Sequence, residues 1–85
     1  MRIFPQRRDQ YYIKENHIMI KNELLDAIND VGDYNAAVFF MVVSATTEKS
    51  YVTLDNMVAQ YGDPRKKILN ALTKLEQHGL ITMIK

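Results

Sequence analysis

Three consecutive cations, Arg65, Lys66 and Lys67, follow the pair Asp63-Pro64. That pair opens helices: the carboxylate caps free N–H groups, and proline suits the first helical position, where its missing N–H costs nothing. The cations therefore fall in a first helical turn. The helix macrodipole prefers acids there, so each one lowers the stability of an isolated helix by a few tenths of a kcal/mol. A bound anion reverses that balance. Phosphate fits best, because it pairs with Lys and Arg and also accepts from N–H groups at a helix N-terminus. The plainer reading of the same residues is a solvated basic patch.

Set at helical spacing around the stretch Arg65 to His78, Lys66, Asn70, Thr73 and Gln77 lie opposite Ile68, Leu72 and Leu75. Ala71 sits beside the apolar row, and Lys67 and Lys74 flank the polar one, which holds no carboxylate. Asn70 and Thr73 are the candidate base readers, since Asn can bond both edges of adenine and such a pair discriminates by ~1–3 kcal/mol. Most exposed Asn and Thr residues read nothing. Leu69 is out of place at the edge of this surface; it suits a thymine methyl, packing on the N-terminal segment, or a dimer contact. Gln77-His78-Gly79 ends the helix, with His78 complementing its C-terminal end.

The elements that position these residues follow from apolar spacing and from the glycines Gly32, Gly62 and Gly79, each expected just past a helix end. Thr53 is a cap for a helix whose apolar residues Leu54, Met57, Val58 and Tyr61 recur at one-face spacing. Only Gly62 and Asp63 separate it from the basic helix, so the two form a helix-turn-helix, whose second member can enter the major groove. Upstream, Asn22 is the candidate cap of a helix to Val31 with Leu24, Leu25, Ala27, Ile28 and Val31 as its apolar stripe. Asp26, Asp30 and Asp33 make an acidic surface that repels DNA rather than holding a metal ion.

From Asp33 to Ala45 the chain is apolar almost all the way round. Val38 to Val43 alone reads as a buried strand, but the whole run, with its opening carboxylate and paired alanines, predicts a central helix. Tyr51-Val52-Thr53 and Leu80 to Ile84 are strand candidates. Tyr11 to Ile13 and His17 to Ile20 predict either a hairpin around Lys14-Glu15-Asn16 or one extended segment. Tyr11 and Tyr12 suit strand packing better than base stacking. Residues 1–10 read as a mobile basic arm, in which Arg2, Arg7 and Arg8 either follow a groove or stay idle.

The chain has 85 residues and a net charge of +1, room for one domain over residues 11–85 and no bulk attraction to polyanions, so only clustered charge counts. Cysteine is absent, and there are two histidines, no glycine-rich phosphate loop and no metal-ligand spacing. Catalysis and a cofactor are therefore not expected. With no signal-like N-terminus and no membrane-length apolar run, the expectation is a soluble cytoplasmic protein without a membrane partner. A core this small is marginal, which favours a homodimer.

The stretch YVTLDNMVAQYGDPRKKILNALTKLEQHGLI, Tyr51 to Ile81, resembles the core of bacterial winged-helix regulators. Ile18 to Asp26, followed by the apolar helix, is similar to the N-terminal winged-helix domains of plasmid and phage replication initiators, with Lys21 where those often carry proline. Together these cover residues 18–84. The resemblance implies a mainly helical α+β fold and sequence-specific double-stranded DNA binding by a homodimer. The role would be that of a transcriptional regulator, a replication factor or a partition factor. The helix over 65–78 would enter the major groove, with Arg65, Lys66, Lys67, Asn70, Thr73, Lys74, Thr53, Arg7 and Arg8 as the DNA-binding set. A second wing strand would begin at Lys85. The wing is thus short or missing, or Ile81 to Ile84 pairs with Tyr51 to Thr53 and an N-terminal strand, or the chain is a fragment. The alternative function is a winged helix that binds a protein partner through Leu69 and the arm, without DNA readout.

Overall fold

Helical apolar spacing and glycine stops dictate most of the architecture. In the computed structural model, which describes residues 1–85, the order is β1 (Arg2–Pro5), a 3-10 turn (Arg8–Gln10), β2 (Tyr11–Lys14), β3 (His17–Ile20), α1 (Asn22–Val31), α2 (Asp33–Ala45), β4 (Val52–Thr53), α3 (Leu54–Tyr61), α4 (Arg65–Gln77) and β5 (Ile81–Ile84). The fold is α+β, four helices with two small antiparallel sheets.

The run with two readings is a helix. α2 buries Val38, Phe39, Val42 and Val43, and α1 and α4 both pack on it. Burial on this scale outweighs the helix-propensity deficit of β-branched and aromatic residues, about half a kcal/mol each. Thr46 ends α2, its hydroxyl donating to the Val42 carbonyl at 2.8 Å. α1 buries Leu24, Ile28 and Val31. Leu25, expected in that stripe, stays 42% exposed because it falls one position off the buried row. Lys21, not Asn22, occupies the N-cap of α1.

β1 is the middle strand of a three-stranded sheet ordered β4-β1-β5. Arg2 and Ile3 pair with Thr53 and Val52 on one side, while Arg2 to Pro5 pair with Ile84 to Ile81 on the other. The mobile arm expected over residues 1–10 is thus corrected: this segment joins two strands that do not pair with each other, and Ile3 is 0% exposed. β5 pairs with the N-terminal strand rather than with β4 directly. Pro5 closes β1, past the reach of β4, in keeping with proline's confinement to strand ends and edges.

β2 and β3 form a hairpin in the register Tyr11↔Ile20 to Lys14↔His17. Its two loop residues, Glu15 and Asn16, have φ of 51° and 68°, the left-handed pair that matches the twist of the strands. Tyr11 meets Phe39 edge-on at 6.3 Å, which anchors the hairpin to α2 and bears out its packing role, whereas Tyr12 points to the other face of the hairpin and is 56% exposed.

In α3, the Thr53 hydroxyl accepts from the Asn56 N–H at 3.1 Å. Gly62 follows at φ 72°, its N–H donating to the Val58 carbonyl at 3.0 Å. α4 then starts one residue later than the sequence suggests, with Pro64 at its N-cap and no side-chain cap. The Asp63 carboxylate, one residue before the cap position, accepts a 2.8 Å hydrogen bond from the Tyr34 hydroxyl.

Candidate nucleic-acid interface

Ile68, Ala71, Leu72 and Leu75 are buried, where α4 packs against α2, α3 and β5. That anchoring fixes the opposite face. Lys66, Asn70, Thr73, Lys74 and Gln77 are all exposed along it. Thr73 donates its hydroxyl proton to the Leu69 carbonyl at 2.9 Å, so toward a ligand it acts as an acceptor through the oxygen's two lone pairs. Leu69 is half-buried and packs against the core, which takes it off the reading surface. The one carboxylate near the end of α4, Glu76, accepts from the Met83 N–H at 2.8 Å and is tied to β5. His78 is the C-cap residue, its Nδ1 3.0 Å from the Lys74 carbonyl.

The three first-turn cations have different surroundings. Arg65 pairs with Asp55 of α3, the only ion pair in the chain, which links the first turns of α3 and α4. The hydrogen bond and charge of that guanidinium hold the Asp55 carboxyl below its ordinary 3.8. The Lys67 ammonium lies 4.4 Å from the centre of the Tyr34 ring. The hydroxyl of that ring is pushed up, by desolvation first and then by its bond to Asp63. Lys66 is exposed and alone of the three has no partner side chain.

Thr53 is half-buried at the N-terminus of α3, beside this cluster in the chain, and its hydroxyl already serves as the helix cap. Arg7 and Arg8 are not brought to the first turn of α4. The Gln6 N–H donates to the Leu80 carbonyl at 2.9 Å, which ties their segment to the far end of α4. The thirteen residues of that helix span about 20 Å. Arg8 instead lies by Tyr11, in a cleft that Val43 and Thr46 also line. Desolvation raises the Tyr11 hydroxyl, and Arg8 pulls it back in part. Arg2 stacks 4.8 Å from the centre of the Tyr51 ring.

Asp55 and Tyr34 are the functional neighbours that single-helix reasoning misses. Asp55 lies ten residues before Arg65 and belongs to another helix. Tyr34 reads as part of the apolar run, though a tyrosine at the mouth of such a helix signals a hydroxyl in need of a partner.

The arrangement offers a row of donors and acceptors with a cationic end, suited to a polyanion with readable polar edges. No three His, Cys, Asp or Glu side chains gather as metal ligands, and no helix is long and apolar enough to cross a membrane. No family, curated protein or solved structure matches this chain.

Proposed function

We propose that this chain is a winged-helix DNA-binding domain that inserts α4 into the major groove of duplex DNA. It acts as a homodimer in transcriptional regulation, replication or partition. The observation that carries this reading is the exposed, carboxylate-free row Lys66, Asn70, Thr73 and Gln77 on the second of two helices joined by a tight turn. β1 lies at the centre of the flanking sheet, between the strands that lead into α3 and out of α4.

Phosphates take over the first-turn cations. Arg65 exchanges Asp55 for a phosphate at small expense, because both partners are exposed and water screens the pair. Lys67 leaves the Tyr34 ring equally easily, an exposed cation–π contact contributing ~0.5–1 kcal/mol. Lys66 needs no release. Asn70 and Thr73 then face base edges, and Lys74 follows the backbone. Replacing Lys66 and Lys67 with alanine weakens binding to all duplex sequences and flattens the salt dependence by about 0.9 per lost phosphate contact, read by fluorescence anisotropy. An unchanged slope removes both lysines from the interface.

The prior engagement of Arg65 by Asp55 favours a second reading, a protein-interaction module of the same shape. Random duplex at low salt separates the two. A DNA reader binds it in a salt-sensitive manner, and an adaptor does not.

A further inference from the structure

The three-stranded sheet ends in two strands of unequal length. β4, on one side, has two residues and runs straight into α3. β5, on the other, has four and pairs with β1 alone. With Leu80 before it the strand reads Leu-Ile-Thr-Met-Ile, uncharged and without glycine or proline, which is the composition of a segment that adds to another sheet. Its backbone groups alternate in direction. The Leu80 carbonyl accepts from the Gln6 N–H on the β1 side, so Thr82 and Ile84 also turn their N–H and C=O toward β1, while Ile81 and Met83 turn theirs outward. The outward Met83 N–H is already taken. It donates at 2.8 Å to the carboxylate of Glu76, an exposed residue in the last turn of α4.

We propose that Glu76 guards this edge, and that what it excludes is β5 of a second copy. The outward residues Ile81 and Met83 lie symmetrically about Thr82, so an identical antiparallel strand supplies donors and acceptors in register. Ile81 of one copy would then exchange both N–H···O=C bonds with the partner's Met83. One bond of each exchange needs the Met83 N–H that Glu76 holds. A charged acceptor makes the stronger bond, so the carboxylate keeps that N–H from an incoming strand carbonyl. The residue that is out of place on a row of donors and acceptors at the end of α4 thus has a use of its own. The inference goes beyond the reading above and leaves the homodimer of that reading to another surface.

Sedimentation equilibrium of the full chain without DNA tests the guard. Glu76→Ala should raise the self-association constant about 10-fold over the native chain, the gain that the freed ladder bonds allow. Met83→Pro removes the N–H in question, and because that group faces away from β1 the proline spares the β1–β5 ladder. Added to Glu76→Ala, it should return association to the native level, with circular dichroism verifying that each variant is folded. Glu76→Ala that associates no more than the native chain, or a double variant that keeps the gain, overturns the proposal. Amide hydrogen exchange of the native chain needs no variant. The Met83 N–H should be protected although no strand pairs with it, and exchange at the rate of an open edge overturns the guard as well.

Discussion

Asp55 holds the Arg65 guanidinium from the first turn of the neighbouring helix. In the proposed reading its carboxylate competes with phosphate for that guanidinium. D55N keeps the size and removes the competing charge. The expected result is tighter non-specific duplex binding, with a salt dependence steeper by up to about 0.9, as one more phosphate contact requires. Weaker binding by D55N in an anisotropy titration would instead make Asp55 a support that orients Arg65. Acid behaviour follows from the lowered Asp55 pKa. The ionised form is favoured in the fold, so this contribution is present above 3.8 and is lost as pH falls through the lower folded value. Native and D55N unfolding curves should therefore converge at the acid end, with only a small gap above it because both partners are exposed. The exposed residues of α4 were legible in the sequence, since a wheel around Ile68, Leu72 and Leu75 finds Lys66, Asn70 and Thr73 directly. The partner of Arg65 was not, because it comes from another element and no periodicity within α4 points to it.

At the scale of elements, Tyr34 fastens α2 to the turn between α3 and α4. Its hydroxyl reaches Asp63 and its ring lies under Lys67, so one side chain sets where the basic turn sits relative to the central helix. Y34F keeps the ring and loses the hydrogen bond, an expected cost of about 1 kcal/mol in urea unfolding. Its alkaline limb should also change. The Tyr34 pKa is raised in the fold, so the neutral form is favoured there. That stabilisation is complete below 10.0 and is lost as pH rises through the folded value. Y34F should show a flatter decline in that window, and parallel curves would remove the Asp63 contact from the solution structure. The same tyrosine shows what sequence reading misses between elements. Helix bodies and glycine stops were legible from spacing and from the caps at Thr53 and Gly62. Asp63 read as a cap because its local sequence allows it, yet the N-cap falls on Pro64 and the carboxylate is used in a tertiary hydrogen bond.

The whole molecule depends on a four-residue strand that looks idle in the sequence. Arg-Ile-Phe-Pro has no alternation to speak of and ends in a proline, so nothing local marks it as central. Its strand conformation comes from two partners about 50 and 80 residues away in sequence, β4 and β5, which join one sheet only through it. Ile3 is fully buried in a core of 17 apolar residues that includes Leu80, Ile81 and Val52. Replacing Ile3 with alanine should cost about 2–5 kcal/mol, a large share of the ~5–15 kcal/mol that holds a typical domain folded. Removing Met1 to Pro5 altogether should do more. It uncovers the inner edges of β4 and β5, the short strands that lead into α3 and out of α4. The α3–α4 pair then loses its backing, so cooperative urea unfolding and duplex binding should fall together. A truncated chain that unfolds at the native urea midpoint would restore the segment to an idle arm. In that case α4 would be held in place by its contacts with α2 and α3 alone.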